Sequence, residues 1–230
     1  MKIKAVAFDI GHTLVRYNSP LNWKSLYEPA LRQVSKRCAF SLSDEDIQMA
    51  ASILTKYNTR ENPREKEITS QVIFTEILDA LKLPHSILDA AREAFYGFFQ
   101  SDAECYEDVA DTLQYLRSAG VGIGALTDVA YGMDNSFSLQ DIASIRHYFD
   151  VVLTSVDVGY RKPNSAGFIS LLKAFDVSPE QMIYVGDEQK DIVGANAAGS
   201  VSVLIDRDDN SPDWGQNHTI QDLQEICKLI

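Results

Sequence analysis

The chain has 230 residues, of which 45% are hydrophobic and 10% aromatic, and it carries a net charge of −12. That composition excludes a disordered chain and is long enough for one substantial core plus a smaller unit. The acidic balance, with no basic run carrying interleaved aromatics, argues against nucleic acid or an anionic membrane as partners.

Cys38, Cys105 and Cys227 are odd in number and lack metal-binding spacing, which favours reduced thiols in a cytosol. No apolar stretch approaches the roughly 18 residues of a membrane span, and the amino terminus enters a strand without a signal peptide. The expected setting is cytoplasmic, with the chain a monomer or homodimer.

In chain order, Ala5-Val6-Ala7-Phe8 reads as a buried strand ending on Asp9, with Gly11 permitting a tight exit. From about Ser19 to Ser101 strand-like runs vanish and helical periodicity replaces them. Leu21 to Cys38 forms the first helix. Ser43 with Asp46 predicts a capped helix through Tyr57, and the stripe Val72, Ile73, Ile77, Leu78, Leu81 predicts a third. Pro84 to about Gln100 is the fourth, with Ile87, Leu88, Ala91, Phe95 and Phe98 inward. The polar stretch from Asn58 to Lys66, carrying Arg60 and Arg64, joins the second and third.

After residue 101 strands and helices alternate. A helix over Asp108 to Ala119 is closed by Gly120, and the strand from Val121 ends on Thr127. Residues 131 to 149 read as loop and helix, and Val151 to Ser155 as a strand. A helix over Ser165 to Phe175 precedes the strand Met182 to Val185. Gly186-Asp187-Glu188-Gln189-Lys190-Asp191 then opens a helix, followed by the strand Val201 to Ile205, a polar loop, and a short helix from Gln221. Such alternation predicts an α/β fold with a parallel sheet and right-handed crossovers.

Several polar residues stand where this alternation would place ligands. Asp9 falls at the carboxyl edge of the sheet. The hydroxyl of Thr127 and the backbone N–H groups beside it, including that of Asp128, suit a phosphate. Lys162, ahead of Pro163 at a helix start, can neutralise nearby acidic charge. Asp187 and Asp191 lie four apart at the head of a helix. With no obvious cationic partner, they suit a hard, oxygen-ligated ion such as Mg²⁺.

These four segments, in this order, resemble the motifs of the haloacid dehalogenase-like (HAD) superfamily. The first motif, Asp-x-Asp-x-Thr or Val, matches Asp9-Ile10-Gly11-His12-Thr13 with one departure: Gly11 replaces the second aspartate. Thr127, Lys162-Pro163 and Asp187…Asp191 match the other three. The resemblance covers about the first 15 residues and most of the chain from residue 105. It implies a doubly wound parallel sheet over 1–15 and 105–230, with 16–104 as a small all-helical cap.

For chemistry, the resemblance implies a phosphatase acting on a small phosphorylated metabolite. Asp9 would be the nucleophile, with Thr127, Asp128 and Lys162 on the phosphate. Mg²⁺ would be held by Asp9, the Gly11 carbonyl, Asp187 and Asp191. The acid/base carboxylate is missing, and its loss matters most for a basic leaving group. His12 could substitute for it, and Arg16 could line the cleft. The alternatives are a phosphate- or metabolite-binding protein with decayed catalysis, and a metal-independent dehalogenase, which should lack the acidic fourth cluster.

Overall fold

The structure is a computed structural model that describes residues 2–18, 20–99 and 103–230. The expected boundaries at Ser19, Gln100 and Ser101 lie outside these residues. By internal contacts the chain divides into two units, one of residues 1–16, 104–128 and 142–230, the other of 17–103 and 129–141.

The strands are β1 (Ala5–Phe8), β2 (Val15–Tyr17), β3 (Ala103–Cys105), β4 (Gly122–Thr127), β5 (Val151–Thr154), β6 (Met182–Gly186), β7 (Val201–Ile205) and β8 (His218–Ile220). The helices are α1 (Tyr27–Arg37), α2 (Asp44–Tyr57), α3 (Ser70–Ala80), α4 (Leu88–Phe99), α5 (Val109–Ser118), α6 (Asn135–Ser138), α7 (Ser155–Val158), α8 (Ala166–Phe175) and α9 (Gln189–Ala197).

The first unit is built on a parallel sheet in the order β5-β4-β1-β6-β7-β8. The central strands are continuous apolar runs because both faces are covered. Ala5, Ala7, Leu126, Met182 and Tyr184 pack with Phe168, Leu171 and Ala195 from α8 and α9. Val6, Phe8, Ile123, Ala125, Ile183 and Val185, of the opposite parity, are buried as well. The chain runs outward from β1 through β4 to β5, then resumes at β6 on the other side of β1. That reversal makes the carboxyl ends of β4, β1 and β6 the switch point where open α/β sheets bind ligands.

Two glycines allow α9 to sit close to this edge. A Cβ on Gly186 would lie 2.4 Å from the Asp191 side chain, and one on Gly194 would lie 2.3 Å from the Phe168 ring. Neither position has room for a side chain.

The second unit is helical. Ser43 caps α2 as expected: its hydroxyl accepts the Asp46 N–H and the Asp46 carboxylate accepts the Ser43 N–H. In α3 the buried stripe is Ile73, Phe74, Ile77 and Leu78, whereas Val72 is exposed. In α4 it is Ala91, Ala94, Phe95 and Tyr96. Ile73, Ile77, Leu78, Ala91 and Phe95 are buried as expected, and Phe74, Ala94 and Tyr96 join them.

Residues 129–141 group with this helical unit, whereas the sequence division places them with the sheet. The reason is Tyr131, which stacks 5.4 Å from Trp23, shares a 2.5 Å hydrogen bond with the Tyr27 hydroxyl, and accepts the Tyr96 hydroxyl on its carbonyl. Asp134 adds an ion pair with Arg92 and a hydrogen bond from Ser70. No helix among the described residues is long and apolar enough to cross a membrane.

Candidate active site

Asp9 leaves β1 with its backbone N–H donating to the Val185 carbonyl at 2.8 Å, so the flanking strand fixes where the carboxylate begins. Asp187 directly follows β6, the strand that pairs with β1. Asp191 sits in the first turn of α9, fully buried, and accepts the Glu188 N–H on one oxygen at 3.0 Å. One carboxylate oxygen from each of Asp9, Asp187 and Asp191 lies within 4.8 Å of the others.

Lys162 joins this group from the loop ahead of α8. Its Nζ stands 2.6 Å from Asp9 Oδ1 and 2.6 Å from Asp191 Oδ1. It also donates to the Leu126 carbonyl and the Tyr184 hydroxyl, each at 3.3 Å. The sequence shows no obvious cationic partner for the Asp187–Asp191 pair; the fold brings one to Asp191 from 29 residues upstream. Strand-helix connectivity hides such partners, because the crossover rather than local spacing brings them together.

The charges do not balance. Three carboxylates, Asp9 and Asp191 buried and Asp187 half-buried, face the Lys162 ammonium. Burial, and after it the charges of Asp9 and Asp191, push Asp187 up to about 8. Burial pushes Asp191 up to about 6, with Lys162 pulling the other way. Burial works against the Lys162 ammonium, yet Asp191 and then Asp9 raise its pKa well above the ordinary value. The site therefore has excess negative charge made of hard oxygen donors, which fits a divalent cation such as Mg²⁺.

Thr127 ends β4 in register with Thr154. Asp128 follows it, with a side chain only 5% exposed. Its carboxylate accepts the Lys162 backbone N–H at 3.1 Å and lies 3.4 Å from Lys190 Nζ and 3.9 Å from Arg161. Burial alone would raise its pKa, but Arg161, Lys162 and Lys190 hold it below the usual carboxylate value. As an anion with its oxygens so engaged, the Asp128 side chain braces the Lys162 loop against the end of β4. Only its backbone N–H remains suited to a phosphate.

Gly11 makes a bridge to Val15, and His12 adopts the left-handed conformation (φ 55°) with its N–H on the Val15 carbonyl at 2.7 Å. Arg16 is exposed and paired with Glu104 at 2.8 Å. Arg60 and Arg64 belong to the helical unit, where Arg64 donates to the Tyr57 carbonyl and pairs with Glu67.

One contributor, Tyr184, escapes sequence reading, and a second, Thr13, is legible as a member of the first motif but not for the contact it makes. The Tyr184 hydroxyl donates to the Leu126 carbonyl at 2.9 Å and receives Lys162, although Tyr in an apolar strand reads as core. Its parity with Ala7, across the β1–β6 pairing, is the signal that places it on the α8–α9 face. Thr13 is fully buried and donates its hydroxyl to Asp187 Oδ1 at 3.3 Å.

A family model described as haloacid dehalogenase-like hydrolase matches residues 3–199. The chain belongs to the HAD-like hydrolases. It is 30% identical over 224 residues to a glyceraldehyde 3-phosphate phosphatase of Methanopyrus kandleri, covering 92% of each chain. It is 35% identical over 210 residues to the pyrophosphatase PpaX of Bacillus mycoides, covering 89% of this HAD protein and 84% of that one. The crystal structure of a 2-haloacid dehalogenase from Pseudomonas syringae pv. Tomato DC3000 shares its fold, with a TM-score of 0.71, 21% identity, and coverage of 99% and 97%. The protein is a hydrolase on an α/β HAD-like fold.

Proposed function

We propose that this HAD hydrolase is a Mg²⁺-dependent phosphatase of small phosphorylated metabolites that forms an aspartyl-phosphate on Asp9. The observation carrying this reading is the buried Asp9 carboxylate, held 2.6 Å from Lys162 beside the Asp187–Asp191 pair. Relatives named as phosphatases that match most of the chain support it.

Asp9, Asp187 and the Gly11 carbonyl would hold the cation, with Asp191 adding its charge while it binds Lys162. When bound, Mg²⁺ polarises the phosphoryl group and offsets the negative charge around it. Lys162 presents a fixed positive charge to the same group. The Thr127 hydroxyl and the Asp128 N–H donate to phosphate oxygens without adding charge.

An Asp9 carboxylate oxygen attacks phosphorus and the bond to the leaving oxygen breaks. Water then attacks phosphorus of the acyl phosphate, releasing inorganic phosphate and restoring the carboxylate. With Gly11 in place of an acid/base carboxylate, the leaving oxygen takes its proton from water or His12, or needs none. This favours acyl, aryl and anomeric sugar phosphates over simple alkyl phosphates. Substrate selection is assigned to the helical unit, acting as a cap.

Purified protein with Mg²⁺ should release phosphate from members of a panel of phosphorylated metabolites, with those of acidic leaving groups turned over fastest. Release of halide from a 2-haloacid, with no phosphate released from any member, would overturn the proposal.

A further inference from the structure

We infer that Arg207 is a positioning residue for the proposed metal site, holding the Thr13 backbone so that the Thr13 hydroxyl orients the Asp187 carboxylate. This rests on the reading of Asp9, Asp187 and Asp191 as metal ligands.

Arg207 lies two residues beyond β7 and touches none of those carboxylates in the contacts that define its position. Its Nη1 and Nη2 donate to the two oxygens of Asp108 at 2.9 and 3.1 Å, a two-pronged pairing that fixes the guanidinium plane. The Tyr106 ring lies 3.7 Å from the guanidinium carbon and fixes its face. Asp108 is buried, 8% exposed, and also accepts the Leu223 N–H at 2.8 Å. Two distant segments, those of Arg207 and Leu223, therefore converge on the Asp108 carboxylate and leave the guanidinium little freedom.

From that fixed position Nη2 donates to the Thr13 carbonyl at 2.9 Å. Thr13 thus has its carbonyl pinned by Arg207 while its hydroxyl donates to Asp187 Oδ1. A β-branched side chain is stiff at χ1, so displacement of the Thr13 backbone carries directly into its hydroxyl. Arg207 Nε is buried with no hydrogen-bond partner, an arrangement that costs stability. Groups that orient a metal ligand through one intermediate are expected to alter metal affinity more than the chemical step.

The test compares Arg207→Met with Asp108→Asn in the full chain. Both disturb the same buried pair, but only the first removes the donor to Thr13. Mn²⁺ binding is read by the electron paramagnetic resonance of free Mn²⁺, alongside thermal midpoint and the Mg²⁺ dependence of turnover. Arg207→Met should weaken Mn²⁺ binding about tenfold or more and raise the Mg²⁺ needed for half-maximal rate equally, with kcat at saturating Mg²⁺ nearly kept. Asp108→Asn keeps the donor to Thr13 while loosening its anchor, so it should lower the thermal midpoint and weaken Mn²⁺ binding by less than Arg207→Met does.

Equal Mn²⁺ affinity in Arg207→Met and the unaltered protein would overturn the inference alone, as would an equal loss in both variants. Failure of the unaltered protein to bind Mn²⁺ would overturn the metal reading and this inference together. If Arg207→Met does not fold, Thr13→Val and Thr13→Ser decide: the hydroxyl-free variant should lose Mn²⁺ affinity and the serine variant keep it. Unchanged affinity in Thr13→Val would overturn the link.

Discussion

Lys162 Nζ and Asp9 Oδ1 lie 2.6 Å apart although 153 positions separate them in the chain. The contact exists because β1 and β4 are neighbours and the Lys162 loop is tied by Asp128 to the end of β4. Both side chains are nearly excluded from solvent, Lys162 at 2% and Asp9 at 9% exposure. This ammonium also lies 2.6 Å from Asp191 Oδ1, so it contacts two of the three carboxylates.

Lys162→Met should therefore reduce both stability and activity. Removing one partner of a buried pair typically costs about 3–5 kcal/mol, because the other charge is left uncompensated. Thermal melting should show a large loss in metal-free protein and partial recovery on adding Mg²⁺, which restores positive charge. Turnover should fall severely even at saturating Mg²⁺. An unchanged rate would remove Lys162 from the mechanism.

Asp9→Asn should bring turnover to background while the fold survives. The amide keeps the shape of the carboxylate but cannot attack phosphorus. Fluoroberyllate should form an adduct on Asp9 in the unaltered protein and none in the variant. An adduct on another residue would move the chemistry there.

Metal dependence and pH are linked through Asp187. This acid is raised from 3.8 to about 8 in the folded state, and Asp191 from 3.8 to about 6. Between those values the folded chain still binds protons that the unfolded chain has released. The stability contribution of each group is present at low pH and is lost as pH rises through its folded value. The metal-free protein should lose stability from this source between about pH 4 and 8, and Asp187→Asn should flatten that slope. Mg²⁺ competes with the same protons, so the rise in thermal midpoint on adding Mg²⁺ should grow towards pH 8. A Mg²⁺ effect that shrinks over this range would contradict the assignment of Asp187.

EDTA should abolish hydrolysis of an aryl phosphate and Mg²⁺ restore it, whereas Ca²⁺, with its looser coordination, should restore it poorly. Full activity after exhaustive chelation would point instead to metal-independent chemistry on Asp9.

Gly11→Asp tests the departure in the first motif. It keeps the backbone carbonyl proposed for the metal and adds a carboxyl able to protonate a leaving alkoxide. Hydrolysis of alkyl phosphates should accelerate by about tenfold or more, against little change for nitrophenyl phosphate, whose leaving group needs no proton. A stable Gly11→Asp protein with no gain on any alkyl phosphate would show that the missing aspartate does not limit the enzyme.

Much of the sheet was readable because its central strands are buried on both faces. Ala5–Phe8, Gly122–Thr127 and Met182–Gly186 are continuous apolar runs that end on polar residues, and a run of that kind has few alternatives. The short strands β2, β3 and β8 were not readable, since three residues of mixed polarity carry no period. Chain order places the segment 129–141 with the sheet, whereas the packing of Tyr131 against Trp23 and Tyr27 groups it with the helices.

The groups available are legible in the amino-acid order: Asp9, Thr127, Asp187 and Asp191 at strand ends or a helix start, Lys162 ahead of Pro163, and Gly11 where a carboxylate would otherwise stand. Local physics suffices there, because strand exits and helix caps are set by neighbouring residues. What those groups meet depends on the fold. Lys162 lies on both Asp9 and Asp191, Asp128 serves the Lys162 loop, and Arg207 reaches Thr13 across 194 positions. Such partners are chosen by strand order and crossover, which bring together residues that sequence spacing leaves unrelated.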